Sequence, residues 1–180
     1  EGLAKGADRA IHIKTDTAGS VDPLVTARQF TETLKAENFD LIFSGLQSDD
    51  VGMGQTGVIM GEMMGMSTAS LVMATEIDDG KIRVKRELEA GWFQWVSLSL
   101  PASVTIQSGL NTPRYPSLKG IMGAKKKEIT VVEPSGGEAT QSLEKVYIPQ
   151  SEKQTVMIDG SVDQQVEKLV GTMRNDIKVL

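Results

Sequence analysis

The chain has 180 residues, 39% hydrophobic and 24% charged, with a formal net charge of −5. These values suit one α/β domain with a buried core and exclude a collagenous or wholly disordered chain. With no cysteine and a single histidine, His12, disulfide scaffolds, thiolate metal sites, iron–sulfur clusters and a histidine-based catalytic centre are excluded or disfavoured; the acidic balance argues against duplex nucleic acid, and no apolar run reaches the roughly 18 residues of a membrane span.

Glu1 to Asp8 reads as the end of a helix stopped at Gly6, followed at once by a strand over Arg9 to Lys14. A domain rarely begins on the tail of a helix, so further residues are expected upstream of Glu1. Asp22-Pro23 is a helix start, with Asp as N-cap and Pro in the first turn. Leu24, Ala27, Phe30 and Leu34 then recur at helical spacing to about Glu37. Phe39 to Ser44 is a short apolar run of the kind found in buried parallel strands. A polar loop with glycines spans Gly45 to Gly54, and an apolar helix is expected from Gln55 to Met66. This order of strand, helix, strand, loop and helix is a doubly wound α/β pattern.

The second half differs. A strand over Ala69 to Thr75 leads through the turn Asp78-Asp-Gly80 into two alternating runs, Lys81 to Glu89 and Trp92 to Leu100, which predict a hairpin with one solvated face. Further strands are expected at Ala102 to Gln107 and Ile129 to Val132, with a helical turn between Pro113 and Gly123. Residues 133–142 read as a linker, Leu143 to Gln150 as an extended arm, and Ser161 with Gln164 as the capping box of a last helix. The division expected is a partial α/β nucleotide-binding domain over 1–132 and a linker, arm and helix over 133–180.

The most informative stretch is Gly45-Leu-Gln-Ser-Asp-Asp-Val-Gly-Met-Gly-Gln-Thr-Gly57. It follows a buried strand and opens a helix, the place where ligands bind in α/β sheets. Free N–H groups at a helix N-terminus suit phosphate, and Gly52, Gly54 and Gly57 permit close backbone approach. Gln55 and Thr56 add an amide and a hydroxyl; Asp49 or Asp50 can accept from a ribose or cap the helix. Spacing alone weighs a nucleotide loop evenly against an ordinary connection, since neither Walker A nor GxGxxG is present.

This loop resembles the nucleotide loop of the small (β) subunit of electron-transfer flavoproteins, with its Gln-(Ser/Ala)-x-Asp and Gln-Thr-Gly elements. Other segments agree in the same order: Leu3 to Arg9, Arg86-Glu-Leu-Glu-Ala-Gly91, Asn111-Thr-Pro-Arg-Tyr-Pro-Ser-Leu118, Ile121-Met-Gly-Ala-Lys-Lys-Lys127, Tyr147-Ile-Pro and Met157 to Ser161. The resemblance covers nearly the whole chain and implies that about a third of the subunit precedes Glu1. It implies an adenine-nucleotide α-hydrolase-like (Rossmann-like) parallel sheet with an added hairpin and an extended C-terminal arm ending in a helix.

The resemblance also implies an electron carrier subunit rather than an enzyme, paired with a larger α subunit. One FAD would be held mostly by α and a structural AMP would be buried in β. Asp50, Gln55, Thr56 and Gly57 would then surround the AMP phosphate, with backbone N–H groups from Val51, Gly52 and Gly54 nearby. Arg114 is a candidate for the flavin neighbourhood, and Glu87 for a contact with the α subunit. The stretch from Tyr115 to Lys125 would dock a dehydrogenase, with Leu118 as its apolar anchor. The C-terminal segment would pack on the partner subunit. The compartment implied is bacterial or archaeal cytoplasm, or the mitochondrial matrix in a eukaryote. Two alternatives stay open: a bifurcating variant with a second FAD in place of AMP, and a stand-alone adenine-nucleotide sensor.

The residues themselves admit plainer readings. Leu118 can insert into a partner's pocket or tuck into its own core; Lys125 to Lys127 can steer an acidic partner or form a solvated face. Glu87 can simply be exposed, Met60 to Met66 can be soft core, and His12 a sheet residue. The chain departs from the family pattern at Ala90, which takes the first place of a Gly-Gly turn, at Ser103, where an aliphatic residue is usual, and at Gly123, where many members have lysine.

Overall fold

A computed structural model describes residues 1–15, 22–150 and 155–179. Contacts divide the chain into a unit over Glu1–Glu144 and a second over Lys145–Leu180.

The first unit opens with a 3-10 turn, Gly2–Lys5, ended by Gly6 at φ 124°. It then runs through β1 (Ala10–Ile13), α1 (Pro23–Leu34), β2 (Leu41–Gly45), α2 (Thr56–Met63), β3 (Ser67–Asp78), β4 (Lys81–Glu87), β5 (Phe93–Ser99), β6 (Ala102–Ile106), α3 (Leu118–Ala124) and β7 (Ile129–Val132). Five strands form one sheet in the order β2-β6-β3-β4-β5; β1 and β7 pair in parallel separately. The β2, β6 and β3 part is parallel, and β4 and β5 add the expected antiparallel hairpin. The chain is thus the mixed α/β, Rossmann-like protein that the element order predicts.

The core follows from the pattern. β6 lies between β2 and β3, so Ala102 to Thr105 are buried in succession. β4 alternates instead: Ile82 and Val84 are buried, while Lys81 and Arg83 face solvent. Ala69, Val72, Ile82, Val84, Ala102 and Val104 form one cluster, in which each fully buried aliphatic side chain contributes roughly 1.5–3 kcal/mol.

β3 is far longer than the alternation suggests because it serves both halves of the sheet. Its first part pairs with β6 and its later part with β4, and the register shifts around Val72. The adjustment is made by Leu71 at φ 61°. Arg86 covers the irregularity, its Nε donating to the Ser70 carbonyl at 2.8 Å. Ala90, the departure from Gly-Gly, also takes a left-handed conformation at φ 55°, where glycine would be unstrained.

α1 begins where Asp22-Pro23 predicts, and of the expected stripe Ala27 is fully buried, but Val25 and Gln29 are buried with it, whereas Leu24 and Leu34 are half-buried and Phe30 is exposed. The reason is a cover that the sequence does not announce: residues 135–141 lie along α1. Arg28 donates to the Glu138 carbonyl at 3.3 Å, and Gly136 is so close that a Cβ there would meet Gln29 Cγ at 2.5 Å. The stretch expected as a linker is fixed within the first unit.

In the second unit Ser161 accepts from the Gln164 N–H and Gln164 returns the bond, the capping box that starts α4 (Val162–Thr172). A π-helical turn, Met173–Ile177, follows. Among the described residues, no helix is long and apolar enough to cross a membrane.

Candidate functional site

The loop between β2 and α2 opens from the carboxyl end of β2, as its sequence position requires. Together with Pro23 and Thr26 at the start of α1, residues of Gly45 to Gly57 line a cavity of about 550 Å³. Two helix N-termini therefore meet one hollow.

They differ in finish. The Asp22 side chain caps α1, accepting from the Leu24 N–H at 2.8 Å. α2 starts at Thr56 with no side-chain cap on its first turn. Its leading N–H groups have no partner within the helix and lie beside the cavity. Among the described residues, no lysine or arginine lines that cavity, so the N-terminal end of α2 is a source of positive potential there.

The loop is shaped from within. Gly52 and Gly54 take φ of 65° and 63°, which glycine adopts without a Cβ penalty. Asp50 accepts from the Val51 N–H at 2.7 Å, and the Ser48 hydroxyl lies 3.4 Å from the N–H groups of both Val51 and Gly52. The Ser48 hydroxyl, reinforced by the Val51 N–H, holds the Asp50 carboxyl below its ordinary range. The structure thus ties Asp50, Val51 and Gly52 into the loop's own turn; Asp50 and Val51 still form part of the cavity wall, together with Gly54, Gln55, Thr56 and Gly57 at the start of α2.

α2 can come close to the sheet only because small residues face each other. A Cβ on Gly57 would lie 2.2 Å from Ser44 Oγ, and one on Gly61 would lie 2.8 Å from Ser103 Cβ. Ser103 is buried and donates from Oγ to the Gly57 carbonyl at 3.3 Å. The departure at 103 therefore ties the central strand to the first turn of α2. Ser44 and Thr105, paired in register on β2 and β6, carry buried hydroxyl oxygens directly beneath Gly57 that have no hydrogen-bond partner among the described residues.

The remaining sequence candidates lie elsewhere. Glu87 ends β4 and accepts from Gln107 Nε2 at 3.2 Å. Arg114 donates to the Lys5 carbonyl at 2.8 Å, and Lys127 donates to the carbonyls of Leu3 and Ala7. These two cations thus hold the opening 3-10 turn. α3 packs on that turn through Gly120, where a Cβ would meet the Ala4 carbonyl at 2.3 Å. Ser117 caps α3, leaving Tyr115 95% and Leu118 75% exposed, so Leu118 does not tuck into the core. Lys125 follows α3 as its C-terminal cap residue and is exposed.

Ser48, Ser103 and Asp22 contribute to this site without having been singled out for it. Asp22 was legible as a cap, and Ser103 as a polar residue in an apolar strand; Ser48 was legible only as the Ser/Ala place of the Gln-(Ser/Ala)-x-Asp element.

The parallel sheet, the glycine loop and the open helix start define a Rossmann-like α/β protein with a site at its strand ends. Residues 1–136 match the family model described as "Electron transfer flavoprotein domain". The chain is 35% identical over 180 residues to electron transfer flavoprotein subunit beta of Methylophilus methylotrophus, covering 93% of this chain and 68% of that protein. It is 34% identical over 177 residues to the protein of the same name from Syntrophomonas wolfei, covering 98% of this chain and 69% of the relative. The corresponding Bradyrhizobium diazoefficiens protein is 37% identical over 183 residues, covering 99% and 70%. The chain belongs to the electron transfer flavoprotein family, and these relatives are its β subunits, electron carriers rather than enzymes.

Proposed function

We propose that this chain works as the β subunit of an electron transfer flavoprotein, with a structural adenine nucleotide in the cavity between α1 and α2. The observation that carries the nucleotide reading is the uncapped start of α2 beside a cavity that, among the described residues, has no cationic side chain in its wall. A phosphate there would accept from backbone N–H groups around Gln55, Thr56 and Gly57. The Thr56 hydroxyl and Gln55 amide would add donors, with Gly54 keeping the approach open. Asp50 and Ser48 would act one step back, setting the course of Val51 and Gly52. AMP fits this donor set, which is rich in N–H groups; the carboxylate in the wall, Asp50, is engaged by the Val51 N–H.

A flavin, when bound, supplies the redox chemistry. In this reading a larger α subunit holds most of the FAD, and this chain closes part of its surroundings. Glu87 would lie toward the α subunit. Arg114 would act near the flavin through the backbone it anchors. Tyr115 and Leu118, presented on the well-supported α3 beside Lys125, would dock a dehydrogenase. Both the bacterial cytoplasm and the mitochondrial matrix suit such a carrier.

Native mass spectrometry of the complex purified through this chain tests the reading. The expected mass is this chain, a larger subunit, one FAD and one AMP. Two flavins without AMP would replace it by the bifurcating alternative. A chain that carries nucleotide but neither flavin nor partner would replace it by a sensor.

A further inference from the structure

Asp22 does more than start a helix. It is fully buried, and its two oxygens serve different chain segments. Oδ1 accepts from the Leu24 N–H at 2.8 Å. Oδ2 accepts from the Thr140 N–H at 2.6 Å, the Thr140 hydroxyl at 3.1 Å and the Gln141 N–H at 3.3 Å. The second set reaches across 118 residues of sequence. The same segment is held lower on α1 by Arg28 on the Glu138 carbonyl, and Gly136 sits against Val25 and Gln29. Residues 135–141 are thus a strap along α1, and Asp22 is its upper fastening.

The fastening adjoins the cavity. The Asp22 carbonyl accepts from the Thr26 N–H, and Pro23 and Thr26 are cavity wall. Whatever fixes Asp22 fixes the first turn of α1 on the cavity side and the strap on the other.

We propose that Asp22 is a positioning residue, a two-sided clasp through which the strap and the nucleotide cavity stabilise each other. The coupling half rests on the nucleotide reading above; the clasp itself does not. Linkage makes the effect reciprocal: a nucleotide that orders the α1 wall tightens the strap, and a fastened strap favours nucleotide binding.

The test is amide hydrogen exchange on the full chain, in the complex as purified, with and without AMP. Asp22→Ser separates the two roles, because serine can still cap α1 but has no second oxygen for the strap. Expected is exchange at 139–142 about tenfold faster than wild type with α1 still protected. Thr140→Val, which removes only the hydroxyl donor, should raise exchange there by about threefold. AMP should slow exchange at 139–142 in the wild type and fail to do so in Asp22→Ser. Strap exchange within about twofold of wild type in both variants would overturn the clasp. If calorimetry shows AMP binding and the strap does not respond, the coupling is wrong while the nucleotide reading stands. If AMP does not bind, the nucleotide reading fails and the coupling with it; the nucleotide-free comparison still decides the clasp.

Discussion

α1 and α2 begin beside the same cavity and are finished in opposite ways. α1 is closed by a buried carboxylate that satisfies its first turn and a distant strap as well. α2 has no side-chain cap, and its first turn is held from below by Ser103 on the Gly57 carbonyl. A fold seeking only stability would cap both, since a good N-cap is worth about 1 kcal/mol. On the proposed reading, the open end of α2 is where a ligand's acceptor oxygens would replace the missing cap, and the closed end of α1 is the wall that Asp22 fastens to the strap.

The harshest way to break this contrast is to lift α2 off its seat. Gly57→Val places branched carbons where Ser44 Oγ and Thr105 Cγ2 already stand, at 2.2 and 2.8 Å from a Cβ position. The expected loss is about 3 kcal/mol, read as a fall in Tm of about 6–12 °C, together with loss of bound AMP. Adding Ser44→Gly should recover part of the stability, which separates the clash from a general intolerance of substitution.

The closed end of α1 is sharpened by pH. The Thr140 N–H is the main cause that holds the Asp22 carboxyl well below its ordinary value of 3.8, with the Leu24 N–H acting in the same sense against the opposing cost of burial. The folded state therefore keeps Asp22 ionised where the unfolded chain has begun to take up a proton, so stability rises with pH in that range. The contribution is complete above the unfolded value and is lost as pH falls from about 4 toward the much lower folded value. Tm measured from pH 7 to pH 3 should fall more steeply for the wild type than for Asp22→Asn. Parallel curves would show that the carboxylate is not held as described. Asp50 shifts in the same direction through Ser48 and Val51, and it is common to both proteins, so the difference between them isolates Asp22.

Ser103→Ala is the milder probe of α2. It removes the hydroxyl from the Gly57 carbonyl without adding volume next to Gly61, at an expected cost of about 1 kcal/mol. AMP affinity should fall more than stability, because the lost bond fixes the turn that carries the N–H groups. Equal tolerance of both would make Ser103 a spacer only.

Much of this contrast was legible in the sequence, and the part that was not has a common cause. Asp22-Pro23 announced a capped helix, the run after Phe39 a parallel strand and the glycine loop a strand-to-helix turn, because each signal is local; that the strand is buried did not hold, since β2 is the edge of its sheet and Phe43 is half exposed. The hairpin followed from alternation at Ile82 and Val84. The buried face of α1 was caught only at Ala27, because the apolar spacing of Leu24, Ala27, Phe30 and Leu34 ignores a cover brought by residues 135–141. The second job of Asp22 was invisible for the same reason: its partners lie more than a hundred residues away. Arg114 was expected near a flavin and Lys127 as part of a steering or solvated run, yet both donate to carbonyls of the opening turn. Charge is visible in a sequence, but its partner is not.

The smallest expected effect is the most discriminating. Gln55→Asp puts a carboxylate at the open end of α2, giving it a negative group as α1 already has at Asp22. Without ligand the change should stabilise the protein by about 0.3–1 kcal/mol, since an anion at a helix N-terminus is favourable. With AMP the same carboxylate lies against the phosphate at the start of α2, and affinity should fall by about tenfold or more. Thermal melts with and without AMP measure both: Tm rises slightly in the absence of nucleotide, and the gain given by AMP in the wild type shrinks. An opposite pair of signs, lower stability with unchanged AMP binding, would mean that the first turn of α2 is not where the phosphate sits. The contrast between the two helix starts would then be one of packing alone.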